Sequence, residues 1–295
     1  METLNEKEFL ALVSLLDDSD QDVYQHVRNR LLSVGERAIP MLEEAWESSF
    51  NHILQQRIEE LIHNIQFDSL CSKLNDWKQS KEKDLLEGCL LIARYQYPDM
   101  NDESVRKIVN KIKKDVWIEI NSGQTALEKT KIINHVLFDI YNFTSNKANF
   151  HAPPNNYINQ VFETKKGNPL TLCIVYIIIA QSLGIPIYGV NLPEHFILAY
   201  TDAENMVNEG KQIDPKNQKV LFYINPFSKG SIFSKQEIDS FLQQLGLEKK
   251  PQFYSPCTTT DILIRMLNNL MFSYKNMGYE YKVVELMKLK EILNP

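Results

Sequence analysis

Residues 165–201 read KKGNPLTLCIVYIIIAQSLGIPIYGVNLPEHFILAYT, and their local chemistry decides the kind of fold the chain adopts. Asn168 has the short polar side chain of a helix N-cap, and Pro169 suits the first helical position, where its missing N–H is of no consequence. From Pro169 to Leu183 the segment is apolar nearly all round, so a helix here has no solvent face and must be almost wholly buried. Gly184 ends it. Ile187 to Leu192 (IYGVNL) and His195 to Thr201 (HFILAYT) have strand character, with Pro193-Glu194 as a tight connection between them. A third strand is expected over Lys219 to Ile224 (KVLFYI) and a helix from near Ser234 (SKQEIDSFLQQLGL). These elements define a helix-rich α+β protein with a small antiparallel sheet.

Toward the N-terminus, the apolar spacing is helical from Leu10 to about Gln66. Val23, Val27 and Leu31 stand at i, i+4, i+8, Gly35 sits where a helix C-cap belongs, and Ile39, Leu42 and Trp46 open the next stripe. DSDQDVYQHVRNRLLSVGERAIPMLEEAWE resembles a HEAT-type helical hairpin, with a partial second unit in LQQRIEELIHNI. His26, His52 and His63 lie on these helices as surface or boundary residues. Three further helices are expected at Leu85 to Tyr97, Glu103 to Ile118 and Thr125 to Tyr141, the last placing His135 on an apolar stripe as a core imidazole. Pro153 and Pro154 break the pattern, and a short helix covers Ile158 to Glu163. From Thr260 the helical period returns, with a turn at Gly278 before Glu280 to Leu293. The pattern divides the chain into a HEAT-like segment at 1–66, a central domain at 67–250 and a helical hairpin at 251–295.

Composition narrows the function. Over 295 residues the chain is 43% hydrophobic and 24% charged, an ordinary globular balance. The longest apolar run, Leu172 to Ala180, is about half of what a bilayer-spanning helix requires, and METLNEKEFL lacks the pattern of a signal peptide. A cytoplasmic protein with no membrane partner is expected. The net charge of −6 includes no long block of either sign, so no nucleic-acid partner is expected, and KIKK at Lys111 to Lys114 reads as a solvated helix face. Four scattered cysteines with no CxxC pair, and six histidines with no HxxxH or HExxH, give no structural metal site. There is no GxGxxG and no P-loop, so no cofactor is expected. The chemistry must come from side chains.

A buried helix, a Gly-Ile-Pro turn, a hairpin with His195 at the start of a strand, and a strand ending in Asn225 follow one another in the order used by papain-like and transglutaminase-like enzymes. There a Cys at the helix N-terminus has its thiol pKa lowered by the macrodipole, a His takes its proton, and an Asp or Asn orients the imidazole. The candidate set here is Cys173, His195 and Asn225, with Asp214 competing for the third place. NNYINQVFETKKGNPLTLCIVYIIIAQSLGIPIYGVNLPEHFILAY, with INPFSKG beyond it, resembles the SirB1 family, a bacterial branch of the transglutaminase-like superfamily. Gly167, Pro169, Leu172, Pro193, His195, Phe196, Pro226, Phe227 and Gly230 carry the likeness, which is close over residues 155–230. The C-terminal helices are similar to the tetratricopeptide-like end of that family.

The resemblance implies a core in which active members place their Cys one helix length before the Gly-Ile-Pro turn. This chain has Pro169 there, and the same substitution is typical of the SirB1 branch. Cys173 lies four residues on, about 6 Å farther along the helix axis at 1.5 Å per residue, where the terminal field weakens and apolar surroundings raise a thiol pKa. His195 is either a hairpin residue or the retained imidazole of a degenerate triad. The expectation is therefore a non-catalytic transglutaminase-like protein that binds a protein or peptide. The alternative is a cysteine hydrolase or acyl transferase using Cys173 with His195. A third reading is a metal-assisted site at His195 with Glu194 and Asp214.

Overall fold

A computed structural model describes residues 6–147, 150–202 and 218–294, and its contacts divide the chain into two compact units between Asp76 and Trp77. The first unit is helical: α1 (Glu6–Ser14), α2 (Gln21–Val34), α3 (Ile39–Ser48) and α4 (His52–Gln79), the last running through the division. The Asp20 carboxylate caps α2 by accepting from the N–H of Asp22 at 2.8 Å. Gly35, at φ 70°, closes α2 in a region that side chains avoid. Phe9, Leu16, Val27, Leu31, Leu42, Ile58 and Leu61 form the core of this unit, at the helical spacings the sequence shows. His26, His52 and His63 are exposed.

The second unit begins with α5 (Leu85–Arg94), α6 (Asp102–Glu119) and α7 (Ala126–Asn134). Thr125 and Glu128 cap α7 reciprocally, each side chain meeting the other's backbone N–H. The helix expected to run to Tyr141 changes character at His135, where a π turn covers His135–Ile140. The wider turn buries Val136, Leu137 and Phe138 together while Ile140 comes to the surface. His135 was expected in the core and is instead exposed, its Nδ1 3.1 Å from Asp139 Oδ2. It stands two residues from buried Ile133, about 200° round the helix, which places it on the solvent side. In α6 the KIKK segment buries only Ile112, with the lysines outside the core.

After the two-residue parallel pair β1 (Thr144–Ser145) with β2 (Lys166–Gly167), and α8 (Ile158–Thr164) between them, comes α9 (Pro169–Ser182). Every residue of α9 from Pro169 to Ala180 is buried. It packs against β3 (Ile187–Leu192) and β4 (His195–Thr201), and against α5, α6 and α8. Each buried Leu or Ile contributes roughly 1.5–3 kcal/mol, so this helix is the centre of the unit. β5 (Val220–Asn225) and β6 (Ser231–Phe233) complete an antiparallel sheet in the order β3-β4-β5-β6. A turn residue, Glu194 at φ 57°, follows Pro193 in the β3–β4 hairpin, the arrangement of a type II turn.

Ile197, Ala199 and Tyr223 project to one face of the sheet and pack with Ile238 and Leu242 of α10 (Lys235–Gln244). The hairpin α11 (Thr259–Asn276) and α12 (Glu280–Leu293) completes the unit. Among the described residues no helix is long and apolar enough to cross a membrane. The architecture is helix-rich α+β, as the sequence implies.

Candidate functional site

The N-terminus of α9 is held by a buried polar cluster. Asn168 Oδ1 accepts from the Thr171 N–H at 3.0 Å, Asn168 Nδ2 donates to Asn156 Oδ1 at 2.7 Å, and Thr171 Oγ1 donates to the Asn155 carbonyl at 2.9 Å. All four residues are buried, so these bonds satisfy groups that water cannot reach. Pro169 takes the first helical position, as read from the sequence. Beside it opens a cleft of about 630 Å³, lined by Asn168, Pro169 and Leu170 of this terminus, Glu194 to Phe196 at the start of β4, Arg265 and Asn269 of α11, and an aromatic wall. In that wall Phe150 and His151 meet at 4.8 Å, and His151 and Phe272 at 5.1 Å.

His195 and Asn225 are brought together. β4 and β5 pair antiparallel with Leu198 opposite Ile224, so Asn225 falls opposite Ile197, on the same sheet face as His195. Asn225 Nδ2 lies 3.4 Å from His195 Nε2. The orientation of the amide is fixed at its other end, where Oδ1 accepts from the Phe227 N–H at 3.1 Å. The NH₂ group therefore faces the imidazole, and it donates to His195 Nε2 in the tautomer that carries the ring proton on Nδ1. An orienting Asn that accepts from its His supports the imidazolium. This one donates and supports the neutral ring. Burial, and then the positive charge of Arg265, hold His195 below the usual imidazole range.

Cys173 is placed differently. It is completely buried, and its Sγ donates to the Phe196 carbonyl at 3.5 Å. No hydrogen bond joins it to His195, whose ring lies 6.1 Å from Phe241 of α10. Burial pushes the Cys173 thiol well above its ordinary range, and neighbouring Cys257 acts in the same direction. Asp214 lies outside the described residues. Among the described residues no three His, Cys, Asp or Glu side chains come together as metal ligands.

Arg265 and Asn269 were not singled out in the sequence. Their signal is a polar i, i+4 pair in RMLNNLMFS, on an amphipathic helix. Only the docking of α11 over the cleft gives that pair a meaning.

A helix N-terminus packed on an antiparallel hairpin that begins with His, beside a strand ending in Asn225, fits a transglutaminase-like core. Residues 103–268 match the family described as the transglutaminase-like superfamily, and the chain belongs to it. It is 29% identical over 198 residues to a UPF0162 protein of Xylella fastidiosa, an overlap of 65% of each chain. It is 28% identical over 218 residues to F-box only protein 21 of Mus musculus, covering 66% of this chain and 33% of that one. A UPF0162 protein of Vibrio cholerae is 21% identical over 159 residues. The chain thus spans slightly under two thirds of the first of these relatives and a third of the second. No solved structure gives a significant match.

Proposed function

We propose that the protein is a non-catalytic, SirB1-type member of its superfamily that binds a protein or peptide partner in the cleft beside α9. One observation carries the reading: the helix terminus that would activate a nucleophile presents Pro169 to the cleft, while the nearest thiol, Cys173, is fully buried and bonded to a backbone carbonyl. The amide of Asn225 favours a neutral His195, which is the wrong state for a thiolate–imidazolium pair. That F-box only protein 21 carries a similar segment as a third of its length supports a module serving inside larger proteins. The HEAT-like and tetratricopeptide-like helices at either end supply further surface for partners. A cytoplasmic location belongs to the same reading.

Alkylation tests it. Native Cys173 should react with iodoacetamide only as the protein unfolds, and thiol-dependent amidase, protease or transglutaminase activity should be absent. Rapid stoichiometric labelling of Cys173 in the folded protein, abolished in His195→Ala, would instead establish the hydrolase or acyl transferase. Conversely, Pro169→Cys should introduce a thiol that titrates below the free value of about 8.5, because the helix terminus stabilises its thiolate. Alkylation rate against pH reads that midpoint directly.

A further inference from the structure

The stripe of α11 that closes the cleft carries Arg265, Asn269, Phe272 and Ser273, spaced i, i+4, i+7 and i+8, so that one helix face lines the cavity. Arg265 is partly buried, and its guanidinium meets one described acceptor, Asn191 Oδ1, at 3.2 Å from Nη1. No acidic side chain lies within ion-pair distance of it among the described residues. A guanidinium offers five N–H donors in a planar fork, so most of its donor capacity is unspent. One turn along, the Asn269 side-chain amide has no hydrogen bond among the described residues. Phe150 and His151 stand beside these donors edge to face, and Phe272 lies tilted against His151, half exposed at 51%. Among the described residues, the cavity therefore joins a guanidinium without an acidic partner and an amide without a hydrogen bond to an aromatic wall. Glu194 is exposed at its rim.

Resting on the binding reading above, we propose that this cleft takes the C-terminal carboxylate of a peptide whose last side chain is apolar or aromatic. The two carboxylate oxygens match the fork of Arg265 and the Asn269 amide, a planar pairing that a single Arg makes with carboxylate. In a terminal residue, carboxylate and side chain leave the same carbon, so one residue fills both the polar floor and the aromatic wall. An acidic side chain would bring the charge without covering Phe150 and Phe272. A phosphate would call for more positive charge than one guanidinium supplies.

The test uses the full chain and three probes: acetyl-Leu-Phe with a free carboxylate, its C-terminal amide, and acetyl-Asp-Phe-amide, whose only carboxylate is on a side chain. Titrations followed by NMR at the Arg265 Nε–H, the Asn269 side-chain NH₂ and the His195 ring should show the free acid shifting all three. The amide should bind at least tenfold more weakly, a difference of about 1.4 kcal/mol. Arg265→Gln should abolish the preference for acid over amide, and Arg265→Lys, which keeps the charge without the fork, should retain part of it. Should Arg265→Gln fail to fold, the acid–amide comparison on the native protein decides alone. Equal shifts by acid and amide, or none with about 10 mM probe, overturn the proposal. Binding of acetyl-Asp-Phe-amide as tight as the free acid overturns the terminal assignment. Cleavage of an amide probe through Cys173 would sink the non-catalytic reading while leaving carboxylate binding standing. Loss of binding with Cys173 inert would sink only this inference.

Discussion

The NH₂ of Asn225 sits where an active site of this class would want an acceptor, because the Phe227 N–H has already taken its oxygen. Asn225→Asp retains an acceptor for Phe227 and turns a second oxygen toward His195 Nε2, where a carboxylate favours the protonated ring. The His195 midpoint, followed by NMR of the ring C–H, should rise in that variant above the wild-type value; an unchanged or lower midpoint would show that the side chain at 225 does not face the imidazole. In the wild type the folded midpoint lies below the unfolded value of about 6.5, so the unfolded chain takes up the proton first as pH falls. The stability associated with a neutral His195 is therefore complete above about pH 6.5 and declines as pH falls from there through the folded midpoint. Asn225→Asp should flatten that decline in urea unfolding at a series of pH values.

Between residue and molecule, the N-terminus of α9 is the element on which the cleft depends. Asn168→Ala leaves the Thr171 N–H and Asn156 Oδ1 without partners in a buried setting, and loses a helix cap, a cost of roughly 2–3 kcal/mol. Asn168→Asp keeps the cap but has no donor for Asn156, so it should recover only part of that loss in denaturant unfolding. Gly230 is a second fixed point: at φ 72° a Cβ would stand 2.0 Å from Asn134 Oδ1, while Asn134 Nδ2 donates to the Gly230 carbonyl at 2.8 Å. Gly230→Ala combines a left-handed backbone with that collision and should cost about 2 kcal/mol or more, whereas Gly246→Ala, at φ 67° with open space around it, should cost only the backbone part. The cap at Asn168, the helix from Pro169 and the strands at 187–192 and 195–201 were legible because cap chemistry and periodicity are local. The π turn was not, since the apolar run Val136–Phe138 does not by itself show which backbone hydrogen-bond pattern carries it. Nor was β6, whose three residues are too short to show alternation. Of the site, Pro169, His195 and Asn225 could be read in order along the chain. Arg265 and Asn269 are distant in sequence, and their place in the cleft is set by tertiary docking.

At the scale of the whole molecule, residues from 251 onward group with the sheet by contact, although in sequence they read as a separate hairpin. α11 buries Ile262, Leu263, Met266, Leu267, Leu270 and Tyr274. It lies so close to α5 that a Cβ on Gly88 would come within 2.5 Å of Leu263 Cδ1. The Tyr274 hydroxyl lies 2.9 Å from that of Tyr157 and donates to Gln96 Oε1 at 2.9 Å, and the Cys257 N–H donates to the Gly189 carbonyl at 2.8 Å. Removing these helices would forfeit the burial of six large side chains, roughly 9–18 kcal/mol at about 1.5–3 kcal/mol each, against a total domain stability of about 5–15 kcal/mol. A chain of residues 77–250 should therefore give poorly dispersed NMR spectra and no cooperative unfolding. Residues 77–295 should fold and keep the cleft, because that fragment retains the core around α9 and all the residues that line the cavity. The family match itself ends at residue 268, part way along α11, so a boundary drawn at that point would cut the same core. Cooperative unfolding of residues 77–250 would show that the terminal hairpin is an accessory to the transglutaminase-like core and would remove α11 as an essential wall of the cleft.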